Sequence, residues 1–275
     1  MSQGNLGRGA QAGSGDRLDA PRETLSVVRS GKVCAITLNR PDVLNAMNMT
    51  MRRELSEVFE EISPRNDIRC VVLTGAGRAF CAGGDIKDMQ GGPEASSDMM
   101  RNLSYRWVKA LWNLPQLTLA SVNGIAAGGG CNMALACDLV IASEKASFVQ
   151  SFLNIGLIPD LSGMFTLPRL LGLHRAKEFT LLGDRVDARR AAEYGLVTRV
   201  VPEAELPGAT RALAERLADR PMRAATMTKR LLNRSFETPL EAMIEYEQAA
   251  QSFMFATADN VALSAAFLAR SKSKG

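Results

Sequence analysis

Two glycine turns and one isolated carboxylate carry the residue types best suited to chemistry in this chain. Gly128-Gly129-Gly130 lies in Val122–Asp138, VNGIAAGGGCNMALACD, between the apolar run Leu117–Val122 and helix-forming residues from Met133 onward. The first amides of a helix have no intrahelical partner, and the helix dipole favours negative charge there. A glycine turn at such a place suits an anion or an oxygen that gains charge during reaction. The second turn, Gly83-Gly84, lies in Arg78–Met89, RAFCAGGDIKDM, behind the strand-like Cys70–Thr74. There Asp85 is placed to cap the helix that follows. About 45 residues separate the turns. They could aim two amides at one oxygen, or be two ordinary strand-to-helix turns, and spacing alone does not choose.

The carboxylate is Asp160, in Asn154–Gly163, NIGLIPDLSG, with Phe152, Leu153, Met164 and Phe165 close by in sequence. Burying a charge among apolar side chains is costly, and desolvation raises a carboxylate toward the range useful in a base. The other reading makes Asp160 the cap of a helix starting at Leu161 or Ser162. Competing groups are weak. His174, the sole histidine, falls at a helix start. Ser143, Ser147 and Ser162 have no neighbouring base, so no hydrolase triad forms. No cluster of His, Cys or carboxylates suggests a metal. Asp138 ends the glycine-turn helix and reads as a structural cap or ion pair.

Four ordered segments decide between the readings of the glycine turns: Ile36–Met47 (ITLNRPDVLNAM), Val71–Met89, Val122–Ser143 and Leu181–Val201. Together they resemble the crotonase, or enoyl-CoA hydratase/isomerase, superfamily, from about Leu25 to the C-terminus. The resemblance implies an α/β fold: a spiral of ββα turns with two roughly perpendicular sheets and a C-terminal helical oligomerisation region. It implies an oxyanion hole for a thioester carbonyl, formed by the amides of Gly84 and Gly129. Val43, Ala46, Ala82, Asp85, Ile86, Asn132 and Phe152 fall at its substrate-lining positions. Arg40 and Lys87 could approach coenzyme A phosphates or be solvated charges.

Hydratases of this family use two glutamates, and the matching positions here hold Asn132 and Phe152. Neither side chain transfers a proton at neutral pH. The segment Ile158–Leu170 is similar instead to members that use an aspartate, as proton shuttle or as nucleophile, at the position of Asp160. The expectation is an acyl-CoA enzyme that isomerises the double bond of an unsaturated enoyl-CoA, cyclic or aromatic-derived acyl groups included. Asp160 would be the shuttle. Hydratase and aryl-CoA dehalogenase-like activities are the alternatives, followed by a non-catalytic acyl-CoA or RNA-binding member. Coenzyme A belongs to the substrate, so no separate cofactor is expected. The family further implies a homotrimer or dimer of trimers.

The remaining sequence must position these groups. The 275 residues are 46% hydrophobic and 23% charged, with a net charge of +4 too small and scattered to indicate nucleic acid. Five cysteines without a CxxC pair read as small buried residues in a reducing, cytoplasmic setting. No run of some twenty apolar residues suggests a membrane span. Residues 1–21 read as a disordered tail, 22–205 as the core and 206–275 as the helical region. Strands are expected at Leu25–Val28, Val33–Leu38, Cys70–Thr74 and Leu139–Ala142. Helices are expected at Thr50–Ile62, around Leu103–Leu114, and at Ala188–Tyr194, Leu206–Ala218, Met222–Arg234, Leu240–Phe255 and Asn260–Ser271. Gln90–Ser97 reads as a polar, mobile loop beside the site, and Trp107 and Trp112 as packing residues.

Overall fold

The computed structural model describes residue 18, residues 20–89 and residues 92–272. Its strands, in chain order, are β1 (Leu25–Ser30), β2 (Val33–Leu38), β3 (Cys70–Gly75), β4 (Ala79–Cys81), β5 (Leu117–Val122), β6 (Ile125–Ala127), β7 (Leu139–Ser143), β8 (Ser147–Val149), β9 (Val186–Asp187) and β10 (Arg199–Val201). They form a larger sheet, β1-β2-β3-β5-β7-β10, and a smaller one, β4-β6-β8-β9. From β3 to β8 the chain alternates between sheets, giving each one strand per turn of a ββα spiral. Only the β1–β2 and β8–β9 pairings are antiparallel among the described strands. The mostly apolar β5 follows from its place: every residue of it is buried.

Helix α1 (Met49–Ile62) starts where the Asn48 side chain accepts the Met51 amide at 2.9 Å. Its stripe of Met51, Leu55, Val58, Phe59 and Ile62 is fully buried. The expected loop at Gln90–Ser97 is corrected. Residues 90 and 91 lie outside the described residues, but α2 (Gly92–Met99) runs through a π-helical turn, Met100–Ser104, into α3 (Tyr105–Trp112). The glycine and proline that suggested a loop occupy the first turn of α2, where proline removes no helical hydrogen bond. Trp107 is fully buried and Trp112 meets Phe165 edge-on, as packing residues should.

Helix α4 (Gly129–Leu135) follows the triple glycine, then come α5 (Gly163–Leu171), α6 (Leu173–Leu182) and α7 (Ala188–Glu193). The C-terminal helices are α8 (Leu206–Ala218), α9 (Met222–Arg234), α10 (Leu240–Phe255) and α11 (Ala258–Lys272). Three of these match the sequence expectation, and α11 begins two residues early. Leu206, Leu213 and Ala214 of α8 pack on Cys70, Val72, Leu119 and Ile141, closing the outer face of the larger sheet. By packing, α8 belongs to the core rather than to an appended region. Beyond it, Leu240, Ile244, Phe253 and Phe267 stand exposed on α10 and α11. Among the described residues no single helix is long and apolar enough to cross a membrane.

Contacts of the core begin upstream of residue 22. Most of residues 1–21 lie outside the described residues, but Leu18 is buried in the core and its carbonyl accepts Arg22 Nη1 at 3.0 Å. Glu54 of α1 then accepts the amides of Glu23 and Thr24 at 2.8 and 3.0 Å.

Candidate active site

The two glycine turns meet. Gly128 has φ +50° and ψ −120°, a conformation that strains any L side chain. At Gly130 a side-chain carbon would overlap the Cys81 carbonyl, so only glycine lets α4 seat its first turn against β4. That seating brings the turns together: a carbon built on Gly83 would lie 3.5 Å from the Gly129 amide nitrogen. Met47 pairs with Gly84 as an isolated parallel bridge, donating to the Gly83 carbonyl at 2.8 Å and accepting the Asp85 amide at 3.0 Å. This pairing turns the N–H of Gly84 away from Met47. No acceptor among the described residues takes the N–H of Gly84 or of Gly129.

Asp160 joins them. A side-chain carbon at Gly129 would sit 3.7 Å from Asp160 Oδ1, 2.8 Å from Leu161 Cδ1 and 3.0 Å from Met47 Cε. The carboxylate thus stands against the glycine whose amide is unpaired. Asp160 Oδ1 is buried with no hydrogen-bond partner. Its side chain caps nothing: α5 begins at Gly163, with Ser162 as a cap that makes no side-chain bond. This removes the capping reading. Burial pushes the Asp160 carboxyl up from 3.8 to about 6, against the opposing charge of Arg52 and its own backbone.

The source of that burial differs from the sequence expectation. Ile158 and Met164 are 76% and 63% exposed, and Ile155 and Leu157 are also exposed. Buried Leu161 and Met47 instead share with the acid the space beside Gly129. Leu161 and Ser162, directly after the aspartate, both take positive φ, 48° and 71°. Non-glycine residues in that region carry strain, which here fixes how the carboxylate leaves the chain.

Asn132 is fully buried, which corrects its expected role as a substrate contact. Its Nδ2 donates to the Asp160 carbonyl at 2.8 Å, and its Oδ1 accepts Gln150 Nε2 at 2.9 Å. The amide braces the loop that carries the acid. Phe152 is 8% exposed and its ring edge lies over Gly128. Ala82 and Ala46 are half-buried beside the turns, while Val43 and Ile86 are exposed at 43% and 63%. Asp85 accepts the Lys87 amide at 3.2 Å and pairs with Arg40 at 2.9 Å, so Arg40 is engaged at the turn. Asp138 is paired as expected, with Lys229 at 2.9 Å. His174 is exposed on α6. No metal-holding cluster is present among the described residues.

Three groups escaped the sequence reading. Arg52 of α1 is 2% exposed, and its Nη1 donates to Ser104 Oγ at 2.6 Å. Burial lowers its pKa, and the charges of Asp160, then Asp88 and Asp85, oppose that. Tyr105, next to Ser104, is raised by burial and by the Asp160 charge. For Arg52 a signal existed, since it lies three residues before Leu55 and seven before Phe59, on the buried stripe. For Ser104 and Tyr105 none did, because a π-helical turn sets their direction.

The chain is similar to known proteins. The enoyl-CoA hydratase/isomerase family model matches residues 29–274. A 1,2-epoxyphenylacetyl-CoA isomerase of Escherichia coli is 38% identical over 250 residues, 90% of this chain and 95% of its own. A short-chain-enoyl-CoA hydratase of Clostridium acetobutylicum is 32% identical over 248 residues, covering 90% of this chain and 95% of its own. The crystal structure of an enoyl-CoA hydratase from Bacillus anthracis superposes with a TM-score of 0.86 at 34% identity, over 90% of this chain and 97% of that one. The chain belongs to the enoyl-CoA hydratase/isomerase family and has the crotonase fold.

Proposed function

We propose that this enzyme isomerises an unsaturated acyl-CoA, with Asp160 moving the proton and the amides of Gly84 and Gly129 holding the thioester oxygen. The observation that carries this reading is the lone carboxylate: Asp160 Oδ1 is buried, without a partner, and beside the unpaired amide of Gly129. On a 3-enoyl-CoA the Asp160 carboxylate takes a proton from C2. The C2–H electron pair becomes a C1–C2 double bond and the carbonyl pair moves onto the thioester oxygen, giving a dienolate conjugated through C3–C4 that two N–H donors stabilise. The carboxylic acid then returns the proton to C4, the thioester carbonyl re-forms, and a 2-enoyl-CoA results. Nothing is consumed, and the step needs no cofactor beyond the coenzyme A of the substrate.

Hydration asks for more. Water must be deprotonated and oriented while C2 receives a proton, which two carboxylates do together. Here the braced amide of Asn132 and the ring of Phe152 stand at the family's glutamate positions. The same reading extends to a homotrimer or dimer of trimers in the cytoplasm, built through the exposed apolar faces of α10 and α11. Initial rates with 3-hexenoyl-CoA and crotonyl-CoA, followed by mass spectrometry, test the function. Isomerisation should exceed hydration, and rapid crotonyl-CoA hydration that survives Asp160→Asn would overturn it. Light scattering tests the assembly, and a monomer at micromolar concentration would remove that part.

A further inference from the structure

Arg52 is an odd residue to find on the buried stripe of α1. A guanidinium at 2% exposure loses its hydration, so something in the fold must return that energy. Part of the return is the bond to Ser104 Oγ at 2.6 Å. The rest is not a salt bridge, because Arg52 Nε and Asp160 Oδ1 are each buried without a partner. The two opposite charges thus act on each other without a bond between them. The remaining charges and titratable groups around Arg52 are Cys81 of β4 and Asp85 and Asp88 of the turn after it. Asp85 is already paired with Arg40, and Asp88 accepts the Met49 amide at 2.7 Å. The burial of Cys81 holds its thiol up at about 11, so it carries no charge near neutrality. Tyr105 of α3 is the other titratable group that meets Asp160.

We infer that Arg52 is a positioning residue of the reaction: anchored by Ser104, its guanidinium holds the Asp160 carboxylate as an aimed, unbonded anion. The inference rests on the proposed role of Asp160. The arrangement has a chemical logic. A direct bidentate Arg–carboxylate bond would occupy the lone pairs that must accept the substrate proton. With no cation at all, a buried acid stays protonated and cannot act as a base. A cation held back from contact keeps the charge and leaves the oxygen open. The π-helical turn at Met100–Ser104 serves the same end, since it delivers Ser104 to the guanidinium and Tyr105 toward the acid. A merely structural arginine would fill space and satisfy Ser104 with no effect on how Asp160 titrates.

The test is the acid limb of the kcat/KM profile for 3-hexenoyl-CoA. Arg52→Met keeps the length and loses the charge, and should move the limb up by about one unit or more. Arg52→Lys keeps the charge and should leave the limb near its wild-type position, at reduced kcat and unchanged KM. Infrared titration of the Asp160 carboxyl, with Asp160→Asn as the blank, reads the same shift without turnover. If Arg52→Met does not fold, Ser104→Ala decides, since it removes one hydrogen bond and no charge. It should lower kcat several-fold and raise the limb, and wild-type values for both would overturn the inference. So would an unmoved carboxyl titration in folded Arg52→Met. Wild-type turnover in Asp160→Asn would instead bring down the functional reading itself.

Discussion

The two ends of α4 each have an aspartate nearby, and the fold treats them in opposite ways. Beyond the C-terminal end, Asp138 Oδ2 accepts the Thr118 amide at 2.7 Å, the Thr118 hydroxyl at 3.0 Å and Lys229 Nζ at 2.9 Å. At the N-terminal end, Asp160 Oδ1 accepts nothing and burial raises the acid to about 6. A carboxylate oxygen that accepts three donors joins elements, here the first strand of a spiral turn to α9. One held in place by its backbone, with an empty lone pair, is equipped to take a proton. Composition does not separate the two; the partners do.

The contrast is sharpest in the response to losing each acid. Asp160→Asn should lower isomerisation by about 100- to 10,000-fold while CoA-ester affinity holds. Its stability should move the other way. Between 3.8 and about 6 the folded chain keeps on Asp160 a proton that the unfolded chain releases. That contribution favours folding in acid and is lost as pH rises through the window. At pH 7 the variant should therefore melt above the wild type, as calorimetry will read.

Next in size is the amide at the same end. Gly129→Pro and Gly129→Ala both add a carbon against Leu161 and Met47, but only proline deletes the N–H. The ratio of their turnover numbers isolates the donor and should be about 100- to 1000-fold. Equal rates in two folded variants would break the assignment of the N-terminal end. At the other end, Asp138→Ala strands Lys229, whose side chain is 6% exposed. It should cost roughly 2 kcal/mol in urea unfolding, less than a fully buried pair because Asp138 is 21% exposed. Turnover of the folded fraction should be untouched. The smallest effect is the pH profile: below about 6, kcat/KM should fall tenfold per unit as Asp160 takes its proton.

The sequence carried the comparison only in part. Strands such as Cys70–Gly75 and helices such as Leu206–Ala218 were legible because their apolar patterns answer to a local period. The glycine turns were legible because Gly128 and Gly130 each meet a backbone requirement that one residue type satisfies. Asp160 stood out by the apolar residues around it, yet chain-distant Met47 shares the space beside Gly129 with it, while Ile158 and Met164 are exposed. Arg52 was not legible because one of two adjacent arginines in a charged helix resembles a solvated one until its neighbours on the stripe are counted. The π-helical turn left no trace, since nothing in MRNLS distinguishes five residues per bond ring from four.

The paired left-handed residues after Asp160 set a choice for anyone who would harden this protein. Leu161 and Ser162 hold φ values that glycine reaches without strain, so Ser162→Gly is a natural entry in a thermostability library. Relief of the strain would compete with the added freedom of the unfolded chain, and in the folded state it would loosen the pivot on which the acid is mounted. Selection for melting temperature alone would then accept variants whose carboxylate samples several directions. A screen on this scaffold should weigh heat resistance and turnover together, because at this bend strain and the direction of the acid are set by the same two residues.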